Sequence, residues 1–281
     1  MGRVIFIGAG PGSADLITVR GAQRLGLADV VLHDALTDPA LRQHAPQAQW
    51  LDVGKRGFRH ATGQAQINAL LVRTARSHSV VVRLKGGDPS VFGRLEEELQ
   101  ALADNGVECE VIPGVTAALA AAAAFQRPLT RRGRGRGVSL TTAMTHTGRL
   151  HATRTADTEV FYMAGRQLAA LSRALTASGW PVTTPVAVVS HAGWPDQCCT
   201  EHGLGDLAEA SLVHAGRPTV VTVGAGATAV SVGRLALQDD PDPAQGEVSG
   251  RKIGQSSRGR AYITAPGPSL PQPNIQPAPL P

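Results

Sequence analysis

Three times in the first 114 residues an apolar strand pattern runs into a glycine-bearing turn: VIFIGAGPG from residue 4, VVRLKGGDP from residue 81 and CEVIPG from residue 109. Helical patterns separate these strands: SADLITVRGAQRLGLA, TGQAQINALLVRTARS and LEEELQALADNG, with a further strand, DVVLHD, between the first two. Strands alternating with helices imply a parallel sheet with right-handed crossovers. The near-continuous apolar runs VIFI and VVV fit strands buried on both faces.

After residue 113 the pattern changes. An alanine-rich helix, PGVTAALAAAAAFQRPL, leads into a basic loop. Strand candidates GVSLTTA, TEVFYMA, PVAVVS and PTVVTVG follow, with one clear helix, RQLAALSRALTASG, and a weaker one near LGDLAEASLVHAG. The expectation is an α/β fold of two domains, residues 1–113 with a parallel sheet and residues 114–237 of mixed α/β type, with a ligand in the cleft between them. From about Gln238 the chain holds nine of its 19 prolines and one aromatic residue. That composition cannot bury enough apolar surface to offset its ordering entropy, so residues 238–281 read as a disordered, proline-rich tail.

Composition narrows the function classes. No apolar run approaches the length of a membrane span, and the amino terminus enters a strand pattern directly with no signal-peptide pattern, so a soluble cytoplasmic protein without a membrane partner is expected. Cys109, Cys198 and Cys199 are odd in number and two are adjacent, which argues against a disulfide framework. His191, Cys198, Cys199 and His202 have no established zinc spacing, so no metal is expected. The net charge of +5 comes from arginine, since Lys55, Lys85 and Lys252 are the three lysines. Arg127, Arg131, Arg132, Arg134 and Arg136 cluster in RPLTRRGRGR; the run is open to nucleic acid, to an anionic small molecule, or to a solvated loop.

The glycine turns carry the chemistry. GAGPG with Asp34 closing the next strand invites a dinucleotide reading, but Ser13 stands where the third glycine belongs and Pro11 interrupts the turn. In GGDP, Gly86 and Gly87 leave no side chains between backbone and ligand, and Asp88 can accept hydrogen bonds. Equally, Pro89 can open a helix that Asp88 caps. Met163 reads as core or cleft wall.

In order along the chain, VIFIGAGPGSADLITVRG, ADVVLHDAL, VGKR, INALL, VVRLKGGDPSVFGR, VIPGVTAALAAA, RPLTRRG, VFYMA and TPVAVV resemble the uroporphyrinogen-III C-methyltransferases of the tetrapyrrole methylase family, from about Val4 to Gly224. The resemblance implies two α/β domains, usually a homodimer, with S-adenosylmethionine in the cleft and two successive methyl transfers to ring carbons of uroporphyrinogen III, giving precorrin-2 for siroheme or cobalamin. It implies cofactor contacts at Pro11, Gly86, Gly87, Asp88, Val91, Thr116, Ala117, Met163 and Ala192, a proton acceptor at Asp34 and a proton donor at Lys55. A substrate with eight carboxylates favours the small-molecule reading of the basic loop, with Arg131, Arg132, Arg134, Arg136 and Arg94 as its anion contacts and no nucleic-acid partner.

The chain departs from the family pattern at Leu95 and Glu96, at Arg131 in place of histidine, at Thr142, Ala143 and Met144, and at Ala164 and Ala192 in place of glycines. Added methyl groups beside a cleft are expected to crowd a ligand. A methylase of a later precorrin and a non-catalytic tetrapyrrole carrier are the neighbouring readings; a nicotinamide-dependent dehydrogenase requires dinucleotide binding at GAGPG.

Overall fold

The computed structural model describes residues 2–54, 63–143, 150 and 152–230. Lys55, Met144 and the 238–281 segment lie outside the described residues.

The first sheet is built from β1 (Arg3–Gly8), β2 (Val30–His33), β3 (Gln49–Asp52), β4 (Val80–Lys85) and β5 (Cys109–Ile112), in the spatial order β3-β2-β4-β1-β5 with every pair parallel. Helices α1 (Val19–Leu25), α2 (Gln64–Ser77) and α3 (Leu95–Ala103) make the crossovers. Burial on both faces explains the unbroken apolar strands: Val4, Phe6 and Val81 pack with Ile67 and Leu71 of α2 on one side, while Ile5, Ile7 and Val82 pack with Leu25 on the other.

Helix α4 (Ala117–Ala124) leads to a second sheet made of β6 (Val138–Thr142), β7 (Thr158–Tyr162), β8 (Pro185–Ser190), β9 (Cys198–Gly203) and β10 (Thr219–Gly224), in the order β6-β7-β10-β8-β9. Only β6 and β7 pair in parallel; the other three pairs are antiparallel. Helix α5 (Leu168–Ala177) lays Leu168, Leu171 and Leu175 on Phe161, Val188 and Val221.

Four local expectations are corrected. The span SADLITVRGAQRLGLA is a short 3-10 turn at Ala14–Leu16 followed by α1, because Thr18 stays extended and caps α1 by accepting the Gly21 N–H at 3.0 Å. No helix opens at Pro89; Asp88 accepts the Ser90 N–H at 2.8 Å to shape a turn, and α3 starts only after Arg94, a left-handed residue at φ 54°. The weaker helix near residue 204 is 3-10 over Leu204–Ala210, with one α-helical turn after it. Strands β3 and β9 were not foreseen, since QWLD and CCTEHG are short edge strands with no apolar alternation long enough to announce them.

Candidate functional site

The three glycine turns foreseen in the sequence converge at the carboxyl ends of β1, β4 and β5, where open α/β sheets hold their ligands. Gly10 and Gly87 exchange backbone hydrogen bonds of 3.3 and 2.7 Å. A Cβ on Gly8 would stand 2.5 Å from the Gly114 Cα and 2.7 Å from the Gly87 carbonyl oxygen, so the three backbones meet only because Gly8 and Gly114 have no side chain. Asp88 ties this meeting point together: one carboxylate oxygen takes the Ser90 N–H and the other takes the Gly114 N–H at 2.9 Å. Asp88 caps no helix; it clasps the end of β4 to the entry to α4.

A cleft of about 240 Å³ opens above this floor, between the two sheets. Its walls include Pro11, Gly86, Gly87, Asp88, Val91, Thr116, Ala117, Met163 and Ala192, all nine positions that the resemblance marked for a cofactor, together with Asp34. The second sheet contributes the ends of β7 and β8 and the start of β10, through Tyr162, Val189, Thr219 and Val220. Two contacts hold the halves in register: the Thr116 hydroxyl bonds the Tyr162 hydroxyl at 2.8 Å, and the Phe92 and Tyr162 rings lie 5.0 Å apart. Burial raises the Tyr162 phenol, so it stays neutral and available as a hydrogen-bonding group. The Ser13 N–H donates to the Gly193 carbonyl at 2.9 Å on the opposite rim.

Asp34 sits directly after β2, half-buried, where its carboxylate accepts the Gly86 N–H at 3.2 and 3.3 Å. A Cβ at Gly86 would lie 3.5 Å from an Asp34 carboxylate oxygen and 3.1 Å from the Leu36 Cβ, so glycine keeps that space clear. At Gly87, φ is 70° and nothing lies nearer than 3.9 Å to where a Cβ would stand; the bare turn faces open cleft. Behind the turn is a buried charge cluster. Glu98 of α3, with no exposed surface, accepts from Lys85 Nζ at 2.6 Å and from Arg83 Nε at 3.0 Å. Burial and the like charge of Arg83 depress the Lys85 ammonium, against the pull of Glu98.

Sequence reasoning missed Phe92 and His191 on the cleft wall, and the backbone strain at Met163. Phe92, Met163 and His191, three of the five non-glycine residues with positive φ among the described residues, all line the cleft at φ 53°, 57° and 50°. Each such residue costs about 1 kcal/mol or more, and such strain gathers at ligand sites. Composition carries no signal for it. The His191 Nδ1 bonds the Asp196 carboxylate at 2.7 Å, and Arg217 reaches the same carboxylate at 2.9 Å. These contacts fix the imidazole on the cleft wall.

The other expected residues fall elsewhere. Arg94 is exposed and engaged by Glu97 through two bonds of 2.6 and 2.7 Å, and does not line the cleft, although Gly93 beside it does. Arg131 and Arg134 line a different pocket, and neither Arg132 nor Arg136 reaches the cleft wall. Of the departing alanines, Ala143 and Ala164 are fully buried in the core of the second sheet and do not line the cleft, and only Ala192 is on its wall. Crowding of the ligand is thereby limited to Ala192. Among the described residues no group of three or more His, Cys, Asp or Glu side chains is arranged for a metal ion. Cys198 and Cys199 alternate across β9 and His202 bonds the Thr200 hydroxyl at 2.7 Å.

Residues 3–208 match the family model of the tetrapyrrole (corrin/porphyrin) methylases. The chain belongs to the tetrapyrrole methylase family. Among its relatives, a uroporphyrinogen-III C-methyltransferase of Pseudomonas aeruginosa is 40% identical over 232 residues, covering 79% of this methylase and 93% of the relative. One from Synechocystis is 38% identical over 234 residues, covering 80% and 89%. Siroheme synthase 2 of Serratia proteamaculans is 41% identical over 228 residues, but the methylase spans only 49% of that longer chain. Among solved structures, the uroporphyrin-III C-methyl transferase of Thermus thermophilus complexed with S-adenyl homocysteine superposes with a TM-score of 0.70 at 35% identity, covering 79% of this chain and 97% of the other. A cobalt precorrin-4 methyltransferase superposes with a TM-score of 0.72 at 29% identity, covering 81% and 96%.

Proposed function

We propose that this methylase transfers two methyl groups in succession from S-adenosylmethionine to ring carbons of uroporphyrinogen III, giving precorrin-2 for siroheme or cobalamin. The observation that carries the reading is the convergence of Pro11, Gly86–Asp88, Val91, Thr116, Ala117, Met163 and Ala192 on one cleft beside Asp34, in a chain 40% and 38% identical to two uroporphyrinogen-III C-methyltransferases over 93% and 89% of their lengths.

The cleft suits this methyl donor. Apolar walls from Pro11, Val91, Met163, Val189 and Val220 flank a few polar groups from Thr116, Thr219, Tyr162 and Asp34, and the bare Gly87 turn admits a ligand against the backbone. When bound, S-adenosylmethionine supplies an activated methyl group. The protein's part is then to align, to exclude water and to move protons. Asp34, aimed by the Gly86 N–H, accepts the proton released once a ring carbon has been methylated. Lys55, the matching proton donor, is three residues beyond β3, outside the described residues.

The same reading places the domain division at residues 113 and 114 and has the protein working as a cytoplasmic homodimer on a polycarboxylate tetrapyrrole, without nucleic acid or membrane. No described helix is long and apolar enough to cross a membrane. The test is anaerobic incubation with uroporphyrinogen III and methyl-labelled S-adenosylmethionine, counting by mass the methyl groups gained. Two are expected; none, with the methyl donor bound, would move the assignment to another precorrin or to a carrier.

A further inference from the structure

The arginine loop that the cleft does not use builds a site of its own. Arg131, Arg134, Arg154, Asp157, Trp180 and Thr228 line a pocket of about 350 Å³ that shares no residue with the cleft. The second sheet separates the two. The cleft touches Tyr162 at the end of β7, Val189 near the end of β8 and Thr219 at the start of β10. The arginine pocket touches Asp157 just before β7, Pro185 at the start of β8 and Gly224 at the end of β10. The pockets therefore sit at opposite ends of the same strands, roughly 17 Å apart at about 3.3 Å per residue.

Its charge and its unmet donors point the same way. Three arginines face one carboxylate, and Asp157 is already engaged by the N–H groups of Arg136 and Gly137 at 2.8 and 3.0 Å. Arg131 clips the carbonyls of Thr228 and Ala229, and its Nε is buried with no acceptor among the described residues. The indole Nε1 of Trp180, a residue 6% exposed, is likewise buried with no acceptor, while Arg154 stacks over the same ring at 4.6 Å. Both orphaned atoms can only donate, so what satisfies them is an acceptor. Neither Arg134 nor Arg154 forms a salt bridge among the described residues, so both guanidinium forks remain for a ligand's carboxylate.

We infer that this pocket is a second binding site, distinct from the methyl-transfer cleft, that takes a polycarboxylate on Arg134, Arg154 and the Trp180 wall. Such carboxylates have two sources. One is a free small molecule. The other is the chain itself, since Asp239, Asp240 and Asp242 follow Val230, the last described residue, within reach of the pocket that Thr228 lines.

The test titrates citrate into the full chain and into a chain ended after Gln238, reading tryptophan fluorescence and heat, with Trp180→Phe to assign the optical signal. Saturable binding to both chains, weakened at least tenfold by Arg134→Gln with Arg154→Gln, is expected for a site open to free polycarboxylates. Binding only to the shortened chain, displaced by a peptide of residues 236–248, would assign the site to the tail's own carboxylates. Absence of saturable binding to either chain, or affinity unchanged by the paired substitution, would overturn the inference. Both arginines are exposed, so the variant's fold is checked simply by an unchanged melting temperature.

Discussion

Replacing Glu98 by glutamine should loosen the floor of the cleft from behind. Glu98 has no exposed surface and joins three partners: Lys85 Nζ at 2.6 Å, Arg83 Nε at 3.0 Å and Gln64 Nε2 at 3.3 Å. Glutamine keeps the shape but strands two cations that are each about 95% buried. Breaking a buried pair this way costs about 3–5 kcal/mol, because the remaining charge stays desolvated without its counterion. For a folded body of this size the loss corresponds to roughly 10 °C in melting temperature. Chemical denaturation at neutral pH, checked by the midpoint and by an unchanged slope, measures it directly. Converting all three charged positions to apolar residues, Arg83→Met with Lys85→Met and Glu98→Leu, should recover most of the loss, since it is the unpaired charge that destabilises. A Glu98→Gln protein within 1 kcal/mol of its parent would refute the reasoning and mean that water reaches the cluster.

Three further outcomes are expected. Asp34→Asn should leave the fold and S-adenosylhomocysteine affinity intact, because the amide oxygen still accepts the Gly86 N–H, while kcat falls about 10²–10⁴-fold; a fall below tenfold removes Asp34 as proton acceptor. Gly87→Ala places a methyl group on a backbone at φ 70° facing the cleft, and should cost about 1 kcal/mol of stability while weakening S-adenosylhomocysteine binding tenfold or more by calorimetry. His214, fully buried between the Ser190 and Thr200 hydroxyls, is pushed down to about 4 chiefly by burial. The unfolded chain then binds the extra proton first, so stability should hold above pH 6.5 and fall by about 3 kcal/mol as pH drops from 6.5 to 4. His214→Gln should flatten that part of the profile.

The parts of the molecule legible in sequence were those set by period and by glycine. Continuous apolar runs announced β1 and β4 because both faces of the first sheet are covered, and the glycine turns announced the floor of the cleft because no side chain fits at Gly8 or Gly114, where their backbones meet the Gly87 turn. Edge strands were not legible. Cys198–Gly203 pairs through its backbone along one side of β8 while carrying a glutamate and a histidine, so pairing, not side-chain pattern, makes it a strand. Part of the second-sheet wall was hidden: His191 owes its place to left-handed backbone at φ 50°, which its sequence does not announce. The arginine loop shows the limit most clearly. Its charge was plain, but which end of the sheet it served depended on the direction of β7, β8 and β10.

The most direct test of the central claim, that the cleft holds the methyl donor, is amide hydrogen exchange with and without saturating S-adenosylhomocysteine. Protection is predicted over residues 86–93, 115–118, 162–164 and 191–194, with the 127–137 loop unchanged. Protection confined to the arginine loop, or none in the cleft segments while calorimetry reports binding, would contradict the account.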